Sequence, residues 1–170
     1  TQVMLHIAEG GDNELARWWF DSITRQDVPF DVIGISYYPY WHGSLGELQY
    51  NLNDISARYD RDVIVVETAY AFTDQGDDNY SNIATQELMN PHYPFTPEGQ
   101  RAMLRDIMSI VRAVDDRRGL GVFYWDATWT GVEGNGWDNT DPTTGNAWEN
   151  QALFGFDGKV LPALAEYLNP

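Results

Sequence analysis

An α/β fold with a parallel sheet is predicted by three observations. Apolar runs of strand length alternate strictly with stretches of helical periodicity, four times along the 170 residues. One run, Val63-Ile64-Val65-Val66, is four consecutive β-branched residues, which suits a strand covered on both faces. The runs also stop at polar or aromatic groups: His6, Ser36-Tyr37-Tyr38, Glu67 and Trp125-Asp126.

The elements follow in order. Residues 2–7 are a short apolar strand ending near His6, and Asp12 is the N-cap of a helix on which Leu15, Trp18, Trp19 and Ile23 recur at helical spacing. Trp18 and Trp19 are expected to pack in the core or between helices. Residues 30–36 form a second strand, followed by the aromatic loop from Tyr37 to His42. Ser44 and Glu47 have capping-box spacing, ahead of a helix with Leu45, Leu48, Leu52 and Ile55 on one face. The third strand ends in Glu67. A polar loop from Thr73 to Phe95 leads to Thr96-Pro97, an N-cap with proline at the first helical position. Met103, Ile107, Ile110, Val111 and Val114 give that helix its apolar face. The fourth strand is Gly119 to Trp125. A loop rich in Gly, Asn, Asp and Trp runs from about Thr128 to Trp148, and a short helix near Leu161 to Leu168 closes the chain.

Four such units fit a small doubly wound domain or half of an eight-stranded barrel. No GxGxxG or GxxxxGK[ST] follows any strand, which removes the support for a nucleotide-binding fold. Functional groups at successive strand ends are the pattern of (β/α)8-barrel (TIM-barrel) enzymes, whose active sites lie at the C-terminal ends of the strands. A lone carboxylate in that position, Glu67, reads as catalytic, against the alternative of a capping or salt-bridging role.

Composition narrows the function. A net charge of -16 and a pI near 4.2 argue against nucleic acid or an anionic membrane surface as partner. No cysteine is present, so disulfides, thiolate metal sites and cysteine nucleophiles are excluded. No apolar run approaches membrane-spanning length. Seven Trp and ten Tyr suit a protein that handles sugar rings. The start at Thr1, already in a strand-like run, reads as a processed or cut end. One domain over 1–170 is expected.

Four segments, Ser36-Tyr-Tyr-Pro-Tyr-Trp-His-Gly43, Val63-Ile-Val-Val-Glu-Thr-Ala-Tyr70, Gly119-Leu-Gly-Val-Phe-Tyr-Trp125 and Trp148-Glu-Asn-Gln-Ala-Leu-Phe154, together resemble the endo-β-1,4-galactanases of glycoside hydrolase family 53. The resemblance runs in order over most of the chain, from strand five of that (β/α)8 barrel to its C-terminus. It implies a secreted, retaining hydrolase of β-1,4-galactan in plant pectic arabinogalactan, with Glu67 as nucleophile and no cofactor for the chemistry. The Asn-Glu of strand four, where the family carries its general acid/base, falls outside this chain. Retaining hydrolysis needs two carboxyl groups about 5–5.5 Å apart, so the chain holds one half of the pair. Glu9 and Asp126 also lie past strand ends, but neither matches the position of the family's acid. The expected partners are the polysaccharide or its oligosaccharides, and an N-terminal half-barrel or a second copy closing the open sheet edges. The alternative is a half-barrel that binds sugars or serves structurally without turnover.

The remaining candidates are substrate contacts. His6 would bind a hydroxyl or orient a carboxylate, against a structural role. One of Tyr37 and Tyr38 should face the cleft within reach of Glu67, the other packing away as strand alternation requires. Trp41 and His42 would line the cleft, and Trp125 would form a stacking floor. Asp74, Asp77, Asp78, Asn79 and Asn82 crowd hard oxygen ligands into one loop, which suits Ca²⁺. The corresponding loop binds calcium in the bacterial branch of the resembled family. This loop lacks that branch's Asp-x-Asp-Gly-His-Gly-Asn run and the EF-hand spacing, and a solvated acidic loop is the alternative.

Overall fold

A computed structural model describes residues 1–168 apart from 133, 135, 137, 139 and 142. Four strands, β1 (Met4–Ile7), β2 (Val32–Ser36), β3 (Asp62–Glu67) and β4 (Gly119–Val122), form one sheet in the order β1-β2-β3-β4, every pair parallel. Between them run α1 (Asn13–Arg25), α2 (Leu45–Tyr59) and α3 (Pro97–Arg112). The chain divides into two compact units. One comprises Thr1–Thr68 and Asp106–Trp125, the other Ala69–Arg105 and Asp126–Pro170. No helix of the described residues is long and apolar enough to cross a membrane.

The first unit holds the sheet. β2 is buried along its whole length, as a strand with neighbours on both sides should be. On β3, Val63 and Val65 are fully buried, while Ile64 and Val66 are half-buried on the opposite face. The expectation of burial on both faces therefore holds for one face only. The other corresponds to the interior of a barrel, which side-chain layers from all eight strands normally fill. Gly34 lies there: a Cβ on it would meet Met4 Sδ at 3.0 Å and Val66 Cγ1 at 3.2 Å. Val3 and Met4 at the β1 edge, and Leu120 and Phe123 along β4, are exposed.

The helices form where capping and periodicity coincide. Asp12 accepts from Leu15 N and starts α1. Its inward stripe is Ala16, Trp19, Phe20 and Ile23, spaced by three or four residues, with Ala16 and Phe20 fully covered. Trp18 falls off that stripe and is 65% exposed, which corrects its expected packing role. α2 opens with a complete capping box: Ser44 Oγ accepts from Glu47 N, and Glu47 Oε2 accepts from Ser44 N at 2.7 Å. Leu48, Leu52 and Ile55 fill its core face. Ser44→Ala is expected to destabilise the fold by about 1 kcal/mol and Ser44→Gly by only a few tenths, read as a shift in the urea midpoint.

Strand β4 is shorter than expected, ending at Val122. Its register against β3 shifts between Val63 and Val65, and beyond Val122 Phe123 N donates to Val65 O and Trp125 N to Thr68 O. Gly119 sits so close to Val111 O (1.7 Å from an added Cβ) that no side chain fits. A second irregularity lies between β2 and β3. Ile35 pairs with Val65 but Ser36 pairs with Glu67, so Val66 is bulged out of the ladder.

In the second unit, side-chain amides take the place of a ladder. Asn150 Nδ2 donates to Thr73 O and Ala84 O, and Gln100 Nε2 to Tyr70 O and Ala152 O. Asn146, Glu149, Asn150 and Gln151 are all at most 1% exposed. The polar segment 146–151 is thus an internal clamp on the loop that follows Ala69. Short 3-10 turns at Gln86–Leu88, Glu149–Gln151 and Pro162–Tyr167, and an antiparallel bridge between Phe154 and Val160, complete the unit. The last of these is the short helix expected near Leu161 to Leu168, in 3-10 form.

Candidate active site

The site is built by the ends of the first three strands. Strict alternation along β3 would send Glu67 to the same side as Val63 and Val65, under the helices. The bulge at Val66 re-aims it toward the interior side, a frequent use of bulges beside active sites. There the phenol of Tyr38 donates to Glu67 Oε2 at 3.0 Å, and His6 Nε2 lies 4.0 Å from Oε1. The carboxylate side chain keeps 24% exposure, enough to meet a ligand. His6 Nε2 also contacts Ser36 Oγ at 2.7 Å, and Ser36 is 3% exposed. Ser36 belongs to the polar row expected at the strand ends, and its bond to His6 is a role the sequence does not specify.

The other candidates separate. Of the tyrosine pair, Tyr38 is the one facing Glu67. Tyr37 is 1% exposed and its hydroxyl donates to Gly43 O, so it is the one of the pair that packs away, bracing the loop after β2. His42 is nearly buried yet lines a cavity together with Trp41, with Nδ1 against Tyr38 N (3.2 Å) and Ser36 O (3.0 Å), and Nε2 3.6 Å from Glu9 Oε1. It bolts the loop and pairs with Glu9. Trp41 is 46% exposed, its ring tilted at 56° against Tyr38 with centroids 5.9 Å apart. Trp125, past the end of β4, is likewise open to a ligand.

The acidic loop does not assemble a metal centre. Asp78 accepts from Tyr80 N through Oδ1 and from Asn146 N through Oδ2, so both oxygens serve the backbone. Asp74 Oδ1 accepts from Gln75 Nε2, and Asn82 Nδ2 donates to Gln75 O. Asp77 enters through its backbone N–H, which donates to Glu149 Oε1 at 2.6 Å. Among the described residues, no three His, Cys, Asp or Glu side chains are gathered to hold an ion. The expected calcium set of Asp74, Asp77, Asp78 and Asn82 thus gains no support from the geometry. Their density instead matches a turn-rich segment whose N–H groups need acceptors.

Glu149 is the unusual carboxyl here. It is fully buried, and burial, with the charges of Asp77 and Asp78 adding to it, pushes its pKa up from 4.5. A carboxyl raised in the folded state contributes stability that is full below its unfolded value and lost as pH rises through its folded value. The stability of the parent relative to Glu149→Gln should accordingly fall as pH is raised from about 4 toward neutrality. Urea titrations of both proteins across that range will show it, and a constant difference would contradict it.

The model of Glycosyl hydrolase family 53 matches residues 1–167. The chain belongs to that family. A Niallia circulans protein described as an uncharacterized protein in the bgaB 5' region is 40% identical, covering 96% of this chain and 44% of its own. The endo-beta-1,4-galactanase of Bacillus subtilis is 34% identical over 85% of this chain and 39% of its own. Among solved structures, the Ignisphaera aggregans family 53 catalytic domain superposes with a TM-score of 0.90 at 36% identity, over 98% of this chain and 46% of that one. The chain spans less than half the length of these relatives. As a member of family 53 it has the α/β fold of the (β/α)8 barrel, here as four parallel strands with three α-helices between them.

Proposed function

We propose that this chain is the C-terminal half of the catalytic (β/α)8 domain of a retaining endo-β-1,4-galactanase, covering about strands 5 to 8, with Glu67 as nucleophile. The observation that carries the reading is the pairing of Glu67 Oε2 with Tyr38 OH at 3.0 Å at the end of a bulged strand. The phenol fixes one oxygen, leaving the other beside His6 to attack an anomeric carbon. Family membership and the galactanase names of relatives support the substrate class.

In the reaction, a Glu67 oxygen bonds to the anomeric carbon as the glycosidic C–O bond breaks. The leaving oxygen takes a proton from the general acid. Water, deprotonated by the same group, then displaces Glu67 with net retention. Tyr38 and His6 orient the nucleophile, while Trp41 and Trp125 offer ring faces to the sugar. The acid/base is assigned to the N-terminal half-barrel, which would also cover Val3, Met4, Leu120 and Phe123. A polysaccharide is too large to enter a cell intact, so the enzyme would act as a secreted protein.

The test is product stereochemistry in the complete enzyme. Proton NMR of a β-1,4-galactan digest should show the β-anomer of the new reducing end first, with viscosity falling ahead of reducing-sugar release. First appearance of the α-anomer would overturn the retaining mechanism. Binding without any turnover would favour the sugar-binding alternative.

A further inference from the structure

Beyond the nucleophile, the first unit contains a cavity of about 570 Å³ between the N-terminal turns of α1 and α2. That is within the ordinary range for small-ligand sites, about 300–1,000 Å³. We propose that it is an outer carbohydrate subsite, taking one neutral pyranose of the bound chain on the far side of Trp41 from Glu67. The inference rests on the glycosidase reading above.

Three features carry it. Two aromatic side chains line the cavity and remain open, Trp41 at 46% and Tyr50 at 59% exposure. A pyranose has C–H faces that such rings cover and hydroxyl edges that need polar partners. Those partners are already fixed. Asn13 Nδ2 donates to Asn51 Oδ1 (3.0 Å) and Asp54 Oδ2 (2.8 Å), Arg17 Nε donates to Asp54 Oδ2 (2.7 Å), and fully buried Asn51 donates to Gly10 O. This network holds Asn13 and Arg17 in place before any ligand arrives, which lowers the ordering cost of binding. Third, Glu9, also lining the cavity, is held at φ 62° beside His42, a left-handed conformation that costs free energy in a non-glycine residue and collects at functional sites.

The acidic groups are not a cation trap. Asp12 is spent capping α1 and Glu47 on the capping box of α2, and Glu9 Oε1 faces His42, which leaves Glu14 and the second oxygen of Glu9 as acceptors. The strong negative charge of the chain disfavours an anionic ligand. Continuity with the nucleophile is direct, because the Trp41 ring packs on Tyr38, whose hydroxyl holds Glu67.

The experiment uses the complete enzyme carrying Glu67→Gln, titrated calorimetrically with β-1,4-galacto-oligosaccharides of rising length. Adding Tyr50→Ala should lower affinity for the longest ligands about tenfold, equivalent to roughly 1.4 kcal/mol, and by much less for the shortest. Tyr50→Phe, which keeps the ring, should restore the loss. Saturation transfer from the Tyr50 ring to sugar protons in the otherwise unaltered protein gives a second readout that needs no folding of the Ala variant. Equal losses at every length, no loss, or no transfer would overturn the subsite. Parallel xylo-, cello- and manno-oligosaccharide series separate the two readings. A Tyr50-dependent increment in one of those series alone would retain the subsite and sink the galactan assignment.

Discussion

Glu67→Gln in the complete enzyme should reduce galactan turnover by at least about 10³-fold, because removing the nucleophile from a concerted site forfeits most of the chemical acceleration. The fold should survive. Glu67 is partly exposed, and its backbone role, accepting from Tyr37 N at 2.8 Å, is unaffected by the amide. Unfolding curves close to the parent's would therefore accompany the lost activity. Glu67→Ala adds a sharper test. The space it opens should admit azide, which would attack the anomeric carbon from that side and give the α-galactosyl azide from a substrate with a good leaving group. Near-parental turnover in Glu67→Gln, or an azide product of β configuration, would remove Glu67 from the nucleophile's role.

The second large effect is expected at Tyr38. Tyr38→Phe removes a single hydroxyl whose partner is the Glu67 carboxylate. Hydrogen bonds to charged groups are worth about 1.5–3 kcal/mol, so kcat/KM should fall roughly 10- to 100-fold. The ring stays, and with it the packing on Trp41 and His42, so thermal stability should change little. Tyr37→Phe gives the contrast. Its hydroxyl holds Gly43 O and is remote from the carboxylate in function, so that variant should lose stability more than rate per bound substrate. Equal kinetic losses in the two variants would mean that the Tyr38 hydroxyl has no special role at the Glu67 carboxylate.

The sheet was legible because its signals are local. The β-branched run of β3, the capping box at Ser44 and the Thr96-Pro97 start of α3 each follow from a few adjacent residues. Glu67 was legible for the same reason, as a charge ending an apolar run. What sequence reasoning missed depends on distant partners. Asp78 looked like a metal ligand until Asn146 N, 68 residues away, was found on its carboxylate. Trp18 was misplaced for a simpler cause, since two neighbouring tryptophans cannot share one helix face and the stripe through Ala16 and Phe20 selects Trp19.

The irregular step where Ser36 faces Glu67 has a consequence for how such a centre could be moved or redesigned. The direction of the carboxylate is a property of two neighbouring strands together, because the extra residue at Val66 exists only relative to β2. Grafting Val63 to Tyr70 alone onto another scaffold would carry the chemistry and lose its aim. Deleting one residue before Glu67 would turn the same side chain under the helices. The smallest transplantable part of this centre is therefore the pair β2 and β3 with their mismatch intact, and loop grafting that treats each strand end as an independent cassette should fail here.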